Sequence, residues 1–240
     1  MDHKTSNSTT ESIWNKDRIV ASRIEIGLIR VISTQEPAVL DAHGTLIENK
    51  YPGLRVRSAC IPDHPTGIYD QCTEQSAIAA IIRIGNHLAA LGCHAIIVSC
   101  ANDPGVFELR QQLTIPIIGA GSAAACLARS LTDRIGVISI VSSSPPVMAS
   151  ILGNTLIGTK KPAGINTTLD LASHEAFHAT LVAARQLSKA GARALVLACT
   201  GYSTIQAAPL LQKRIHIPVI DPVLAAGWTS LHAIRETHIA

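Results

Sequence analysis

Two cysteines stand at the ends of apolar runs, where they could transfer protons. Cys100 ends the segment LGCHAIIVSC, and Cys199 lies one residue before the end of AGARALVLACT. A thiolate can remove a proton from carbon and a thiol can return one, because the pKa of cysteine is readily adjusted by its surroundings. Two cysteines on opposite faces of a carbon next to a carbonyl group could therefore invert that carbon.

The alternative for any cysteine is a role in packing, since free cysteine is among the most often buried residue types. The contexts of Cys100 and Cys199 match, which favours a shared function for these two. The six cysteines form no paired CxxC pattern, and in a chain of 240 residues this favours a reducing compartment. Four cysteines have no matched context and are interpreted as packing residues: Cys60, Cys72, Cys93 and Cys126.

The matching contexts predict two buried strands. Gly92 and Gly191 each end a helix-like segment before the apolar run that leads to a cysteine. A fully apolar run of this length, bounded by turn residues, is typical of a parallel strand covered by helices on both faces. Cys100 and Cys199 then lie just past the carboxyl ends of two strands, where open α/β sheets bind their ligands.

The first half of the chain predicts two further strands and a long helix that lead to Cys100. Alternating apolar residues indicate the strands, and apolar residues at helical spacing indicate the helix. The predicted order is a strand from Arg23 to about Ser33, a polar loop through His43 and Gly44, a strand at Leu54 to Cys60, and a helix capped by Asp70 or Thr73 that runs to about Leu91.

A second helix is predicted to begin one short turn after Cys100. Asp103 is a favourable N-cap residue and Pro104 a favourable first helical residue. The exposed N–H groups of that helix would stabilise a thiolate, so we expect the pKa of Cys100 to be lowered.

The second half of the chain repeats the same order of elements. Strands are predicted at Arg134 to Val141, before Cys199 and at Ile217 to Ile220, with a helix from Ser173 to Lys189. We therefore expect an α/β fold of two similar Rossmann-like lobes with parallel sheets, related by a pseudo-twofold axis, with the active site in the cleft between them. The predicted limits are a flexible tail at 1–22, a first lobe at 23–120 plus 222–240, and a second lobe at 121–221.

Composition argues against several classes of partner. The net charge of +3 comes from scattered lysines and arginines, so no nucleic-acid surface is indicated. The charge-free stretch 135–159 contains prolines, Asn154 and serines, which argues against a membrane span. Without an apolar leader in residues 1–22, we expect a cytoplasmic protein that acts on a small molecule.

The segment GAGSAAA at Gly119 to Ala125 is superficially similar to a nucleotide-binding loop. It lacks the order GxGxxG in a first strand-to-helix turn. It therefore favours close helix packing or a contact at the junction of the lobes.

At the two cysteine motifs the sequence resembles the aspartate/glutamate racemase superfamily. CANDPG, from Cys100 to Gly105, is most similar to the hydantoin-racemase branch, in which Asp-Pro-Gly closely follows a cysteine. The resemblance extends from Arg23 to the end of the chain. It implies two duplicated α/β domains, one catalytic cysteine from each, no cofactor and no metal, and assembly into a homo-oligomer.

The resemblance also implies the site residues. Cys100 and Cys199 match the two acid–base cysteines, and Thr200 matches a residue that holds the substrate carboxylate or ring carbonyl. Asn102 falls in the polar segment after the first cysteine, and Ser143 falls near a hydroxyl contact in the second lobe. Gly201 replaces the histidine that follows Cys-Thr in glutamate racemases and completes the expected substrate site.

Arg30 and Val31 replace the Asp-Ser pair of glutamate racemases, and Arg30 to Ile32 replaces the Asn-Pro-Asn run of hydantoin racemases. Arg30 could hold an anionic group of the substrate, lie at an exposed edge, or form a structural ion pair. We therefore expect a cofactor-independent racemase or epimerase that acts on an amino acid or a hydantoin-like derivative. The alternatives are a lyase or cis–trans isomerase of the same superfamily, similar to arylmalonate decarboxylase or maleate isomerase, and a non-catalytic binding protein.

Overall fold

The chain forms two parallel four-stranded sheets flanked by helices, as a computed structural model shows for residues 24–237. The first sheet contains β1 Ile24–Arg30, β2 Leu54–Cys60, β3 Ala95–Ser99 and β4 Ile117–Gly119. The second contains β5 Ile135–Ile138, β6 Leu156–Lys160, β7 Ala194–Leu197 and β8 Val219–Ile220. The helices are α1 Pro37–Lys50, α2 Gln71–Ala90, α3 Val106–Gln112, α4 Ala120–Leu131, α5 Pro146–Leu152, α6 His174–Lys189, α7 Gly201–Thr204, α8 Ala207–Ile215 and α9 Pro222–Thr237.

The two sheets have the same strand order, which confirms the predicted α/β fold of two similar lobes. The order is β2-β1-β3-β4 in one sheet and β6-β5-β7-β8 in the other, and every strand pair is parallel. β3 and β7 therefore occupy equivalent places, each followed by a cysteine. The predicted tail at 1–22 lies outside the described residues, and the predicted limits of the lobes stay a prediction.

Capping and turn residues fix the helix ends that position the strands. Asp70 caps α2 by accepting a hydrogen bond from the N–H of Thr73 at 2.8 Å, and Gly92 ends that segment with a φ of +86°. Ser173 caps α6, as predicted. The carboxylate of Asp221 accepts hydrogen bonds from the N–H groups of Val223 and Leu224 and so begins α9.

The predicted loop through His43 and Gly44 is wrong, because residues 37–50 form α1. Pro37 begins this helix, and the buried face consists of His43, Gly44 and Ile47. A Cβ at position 44 would lie 3.0 Å from Ser58 Oγ on β2, so glycine allows the helix to approach the sheet. A buried face built from histidine and glycine gives no apolar periodicity. The charge-free stretch also contains α5 and most of β6, which the sequence did not predict.

A continuous apolar core joins the two sheets. It includes Ile26 and Leu28 of β1 together with Ile135 and Val137 of β5. α4 and α9 pack against each other, and α9 also packs against β3 while α4 packs against β7. The strand ends of both sheets are therefore held in a fixed relation. Across residues 24–237, the structure contains no helix long and apolar enough to cross a membrane.

Candidate functional site

A cavity of about 80 Å³ opens at the carboxyl ends of strands from both sheets. Strand-end residues form most of its wall, and residues 67–69 of the loop before α2 contribute to the remainder. Such a place at strand ends is where α/β folds bind small molecules. The lining includes these members of the predicted site: Arg30, Cys100, Asn102, Cys199, Thr200 and Gly201.

Cys100 follows β3 directly and is 8% exposed. Burial raises the pKa of this thiol, because a thiolate is poorly solvated there. The N–H of Asn102 donates to the sulfur and opposes that effect, while the negative charges of Asp103, Cys199 and Glu74 add to it. The expectation of a pKa lowered by a helix start is therefore wrong, since burial outweighs the hydrogen bond.

The predicted helix start at Asp103 and Pro104 is also wrong. α3 begins at Val106 with Gly105 as its N-cap, and Asp103 instead caps α4. Its carboxylate accepts hydrogen bonds from the N–H groups of Gly121 and Ser122 at 2.7 and 2.8 Å. Asp103 adopts a φ of +55° to make these contacts. It thus attaches the loop after Cys100 to the helix that follows β4.

This attachment explains the segment GAGSAAA. A Cβ at Gly119 would overlap the Asp103 carboxylate, and a Cβ at Gly121 would overlap the carbonyl oxygen of Ala101. The glycines allow close packing between the start of α4 and the loop after Cys100. The predicted close packing is therefore present, and it supports the loop that follows Cys100.

Cys199 follows β7 and is 7% exposed. Burial raises its pKa, whereas the Thr168 hydroxyl and the N–H groups of Gly201 and Tyr202 donate to its sulfur and lower it. Thr168 Oγ1 lies 3.5 Å from the sulfur. A Cβ at Gly201 would overlap the Thr168 side chain, so glycine permits this contact.

The surroundings of the two cysteines differ in a way that affects their protonation. Three donors face the sulfur of Cys199, and one donor together with two carboxylates influences Cys100. Hydrogen-bond donors favour a thiolate, whereas nearby negative charge disfavours it. Cys199 is therefore better placed to carry a thiolate and Cys100 to remain a thiol.

Arg30 ends β1, where its backbone pairs with Ser99 of β3. Its side chain is 5% exposed, and its Nη1 group donates to the carbonyl oxygens of Val39 and Leu40. Burial lowers the pKa of the guanidinium, which still carries its charge at neutral pH because its ordinary pKa is so high. The structure thus places a fixed cation in the cavity wall and not at an exposed edge.

The remaining predicted site residues take different positions. Asn102 Nδ2 donates to Glu74 Oε2 at 2.6 Å, and Thr200 Oγ1 donates to the carbonyl oxygen of Ser99 at 3.1 Å. Ser143 is exposed and is absent from the cavity lining, so the structure does not bring it together with the cysteines. The buried Ser139, directly after β5, lines the cavity instead.

His43 is a cavity residue that the sequence reasoning missed. It is 1% exposed, with Nδ1 at 2.8 Å from Ser99 Oγ and Nε2 at 2.9 Å from Thr204 Oγ1. It therefore connects β3 of the first sheet to α7, which follows β7 of the second. Burial lowers its pKa well below the ordinary value, and the charge of Arg30 lowers it further. His43 is thus neutral at neutral pH.

We expect His43 to make the fold sensitive to acid. Because its folded pKa is lowered, the unfolded chain binds a proton that the folded chain does not, and this contribution to stability is lost as pH falls below about 6.5. The loss approaches about 1.4 kcal/mol per pH unit. The free energy of unfolding is measured with urea at several pH values between pH 8 and pH 5.5. It is expected to fall less steeply with decreasing pH for His43→Gln than for the wild type. The matched control is His87→Gln, at an exposed position of α2; equal slopes for His43→Gln and the wild type would contradict the assignment.

Two residues of the loop before α2 differ in their relation to the cavity. Tyr69 lines the cavity, whereas His64 does not and contacts Pro62, Thr73 and Ser76 within its own region. Tyr69 is therefore the member of this pair placed to meet a ligand. Within residues 24–237, no group of three or more His, Cys, Asp and Glu side chains could hold a metal ion.

Comparison with known proteins shows similarity over most of the chain. The model of the family described as Asp/Glu/Hydantoin racemase matches residues 40–229. A hydantoin racemase of Rhizobium meliloti is 26% identical over 185 residues, which are 74% of this chain and 75% of that protein.

Solved structures show the same fold. The allantoin racemase from Klebsiella pneumoniae superposes with a TM-score of 0.77 at 21% identity, covering 89% of each chain. The allantoin racemase from Pseudomonas fluorescens gives a TM-score of 0.76 at 17% identity, covering 89% of this chain and 92% of the other. At these identities the superpositions show the architecture alone.

Proposed function

The chain belongs to the Asp/Glu/hydantoin racemase family, and from that premise we propose that it racemises or epimerises a carbon next to a carbonyl group. Cys100 and Cys199 act as the two acid–base groups, without a bound cofactor. The observation that carries this proposal is the placement of two buried cysteines, from equivalent strand ends of two sheets, in the wall of one cavity.

The reaction needs one thiolate and one thiol. The thiolate of Cys199 removes the proton from the reacting carbon, and the electron pair passes onto the neighbouring carbonyl oxygen. The thiol of Cys100 then donates its proton to the opposite face, leaving Cys100 as the thiolate and Cys199 as the thiol. The opposite enantiomer reacts through the same steps in reverse. Backbone N–H groups near the strand ends can stabilise the developing negative charge on the oxygen.

The lining favours a hydantoin-like ring over a free amino acid. Among the described residues that line the cavity, none is acidic, and Arg30 is a cation. An amino acid would bring an ammonium group into this wall without a carboxylate to pair with it, which is costly in a buried site. A cyclic amide brings neutral carbonyl and N–H groups that Ser139, Thr168 and Thr200 can meet. The hydantoin racemase and allantoin racemase relatives support the same substrate class.

Hydrogen–deuterium exchange at the reacting carbon tests the proposal. Purified protein is incubated in D₂O with a panel of amino acids and single-enantiomer hydantoins, and both exchange and optical rotation are followed against samples without protein. We expect exchange and loss of optical activity at matched rates for a hydantoin. Because burial raises the pKa of both thiols, the rate is expected to increase with pH through the neutral range.

The other reactions of this superfamily give different results in the same experiment. A decarboxylase releases carbon dioxide, and a cis–trans isomerase acts on a double bond and leaves every hydantoin unexchanged. Absence of exchange from the whole panel would rule out the proposal and leave the decarboxylase, the cis–trans isomerase and the binding protein as the remaining explanations. A cytoplasmic homo-oligomer stays part of the proposal, and size-exclusion chromatography with light scattering tests the assembly.

A further inference from the structure

Arg30 is a buried cation that lacks an ion pair in the described part of the chain. The ion pairs found among residues 24–237 are Arg55–Glu48 and Arg57–Glu25, and neither involves Arg30. Asp41 and Cys60 are near enough to influence its charge, but Asp41 forms no ion pair with it. A buried charge without a partner is unfavourable unless another group compensates it.

The side chain is held in a way that leaves part of its fork available to a ligand. Its Nη1 group donates to the carbonyl oxygens of Val39 and Leu40 in the first turn of α1. Its Nε and Nη2 groups donate no hydrogen bond to any residue from 24 to 237, although the residue lines the cavity beside Cys100. A guanidinium with two free donors in a fixed plane matches the two oxygens of a carboxylate.

We propose that Arg30 binds a carboxylate on the substituent of the substrate, so that the substrate is a hydantoin-like ring with an acidic side chain. This inference rests on the proposed function and narrows its substrate class. A neutral ring carbonyl would satisfy the free donors but would leave the positive charge uncompensated. A carboxylate satisfies both, and a cavity of about 80 Å³ favours a short substituent over a long one.

The experiment compares two hydantoins of nearly equal shape. One carries a carboxymethyl group on the reacting carbon, and the other carries the corresponding carboxamide. We expect the wild type to prefer the carboxylate in kcat/KM of deuterium exchange. Arg30→Met, which keeps the apolar stem, is expected to lower the ratio of the two kcat/KM values by about 100-fold, the size expected when one partner of a buried charge pair is removed. Arg30→Lys should give an intermediate ratio, because it keeps the charge but not the fork.

The ratio separates binding of the side chain from general damage, since a loosened α1 would affect both substrates. Arg83→Met, at an exposed position of α2, is the matched control and should leave the ratio unchanged. Equal losses for both substrates in Arg30→Met would mean that Arg30 does not act on the carboxylate substituent, which would overturn the inference. A wild type that prefers the carboxamide would overturn it as well, while leaving the proposed racemase in place.

Calorimetric titration with the carboxymethyl hydantoin provides a readout that does not need turnover. We expect tight binding to the wild type and about 100-fold weaker binding to Arg30→Met. If no substrate exchanges but this binding depends on Arg30, the proposed catalysis fails and the carboxylate site stands. Equal binding to the wild type and to Arg30→Met would show that Arg30 does not bind the carboxylate.

Discussion

Cys100→Ser and Cys199→Ser are each expected to lower racemisation of the substrate by at least about 100-fold, because a positioned acid–base group contributes about 10²–10⁴-fold. The serine hydroxyl occupies nearly the same space as the thiol, but it is a far weaker acid. It therefore cannot supply a base at neutral pH. Both side chains are buried in the cavity wall, so water does not readily take over their role.

The two variants should differ in which enantiomer still exchanges. Cys100→Ser keeps Cys199, which can remove a proton from its own face and, after its thiol has exchanged that proton with D₂O, return a deuteron to the same face. Exchange without inversion is then expected for the enantiomer whose proton faces Cys199. Cys199→Ser should show the reverse preference. Mass spectrometry of each enantiomer in D₂O, combined with chiral chromatography, measures the two outcomes separately.

Cys126→Ser is the matched control, since Cys126 is an exposed cysteine on α4 outside the cavity lining. It should racemise at the wild-type rate. Racemisation at that rate by either cavity variant, with circular dichroism showing an unchanged fold, would exclude the two-base mechanism. Identical enantiomer preferences in both variants would show that the cysteines do not act on opposite faces.

The parts of the site that could be predicted from sequence depend on local pattern. Cys100 and Cys199 stand out because each follows an apolar run that has few alternatives to a buried strand. Arg30 also stands at the end of an apolar run, which predicts that it lies at the end of a strand. Arg30 and Cys100 lie together because parallel strands in one sheet end at the same edge, and Cys199 follows the equivalent strand of the other sheet.

The parts that could not be predicted depend on contacts between distant segments. Asp103 has the local features of a helix N-cap, yet the N–H groups that it accepts belong to Gly121 and Ser122. His43 lies on a helix whose buried face includes a glycine, so hydrophobic periodicity gives no signal. Burial likewise determines the pKa of Cys100, and sequence alone does not reveal how completely a strand end is covered.

Gly121→Ala is expected to damage both stability and catalysis, although residue 121 lies outside the cavity lining. The added Cβ would overlap the carbonyl oxygen of Ala101 and lie 2.8 Å from its carbonyl carbon. The obstacle is backbone, so no rotation of a side chain can relieve it. The start of α4 must move away from the loop after Cys100, and the hydrogen bonds from Gly121 and Ser122 to Asp103 weaken.

The expected loss of stability is about 2–4 kcal/mol, the combined size of an overpacked contact and a damaged helix cap. Urea unfolding measures it, with Gly158→Ala as the control, because the nearest heavy atom to a Cβ there is Leu187 Cδ2 at 3.8 Å. The folded fraction of Gly121→Ala should exchange its substrate about 100-fold more slowly, since a displacement of about 1 Å at a reacting group costs that much. Exchange at the wild-type rate in a destabilised variant would show that Asp103 and α4 support the fold without positioning Cys100. Slow exchange in the folded protein would instead show that the close contact at Gly121 helps to position Cys100, the residue that acts as the acid.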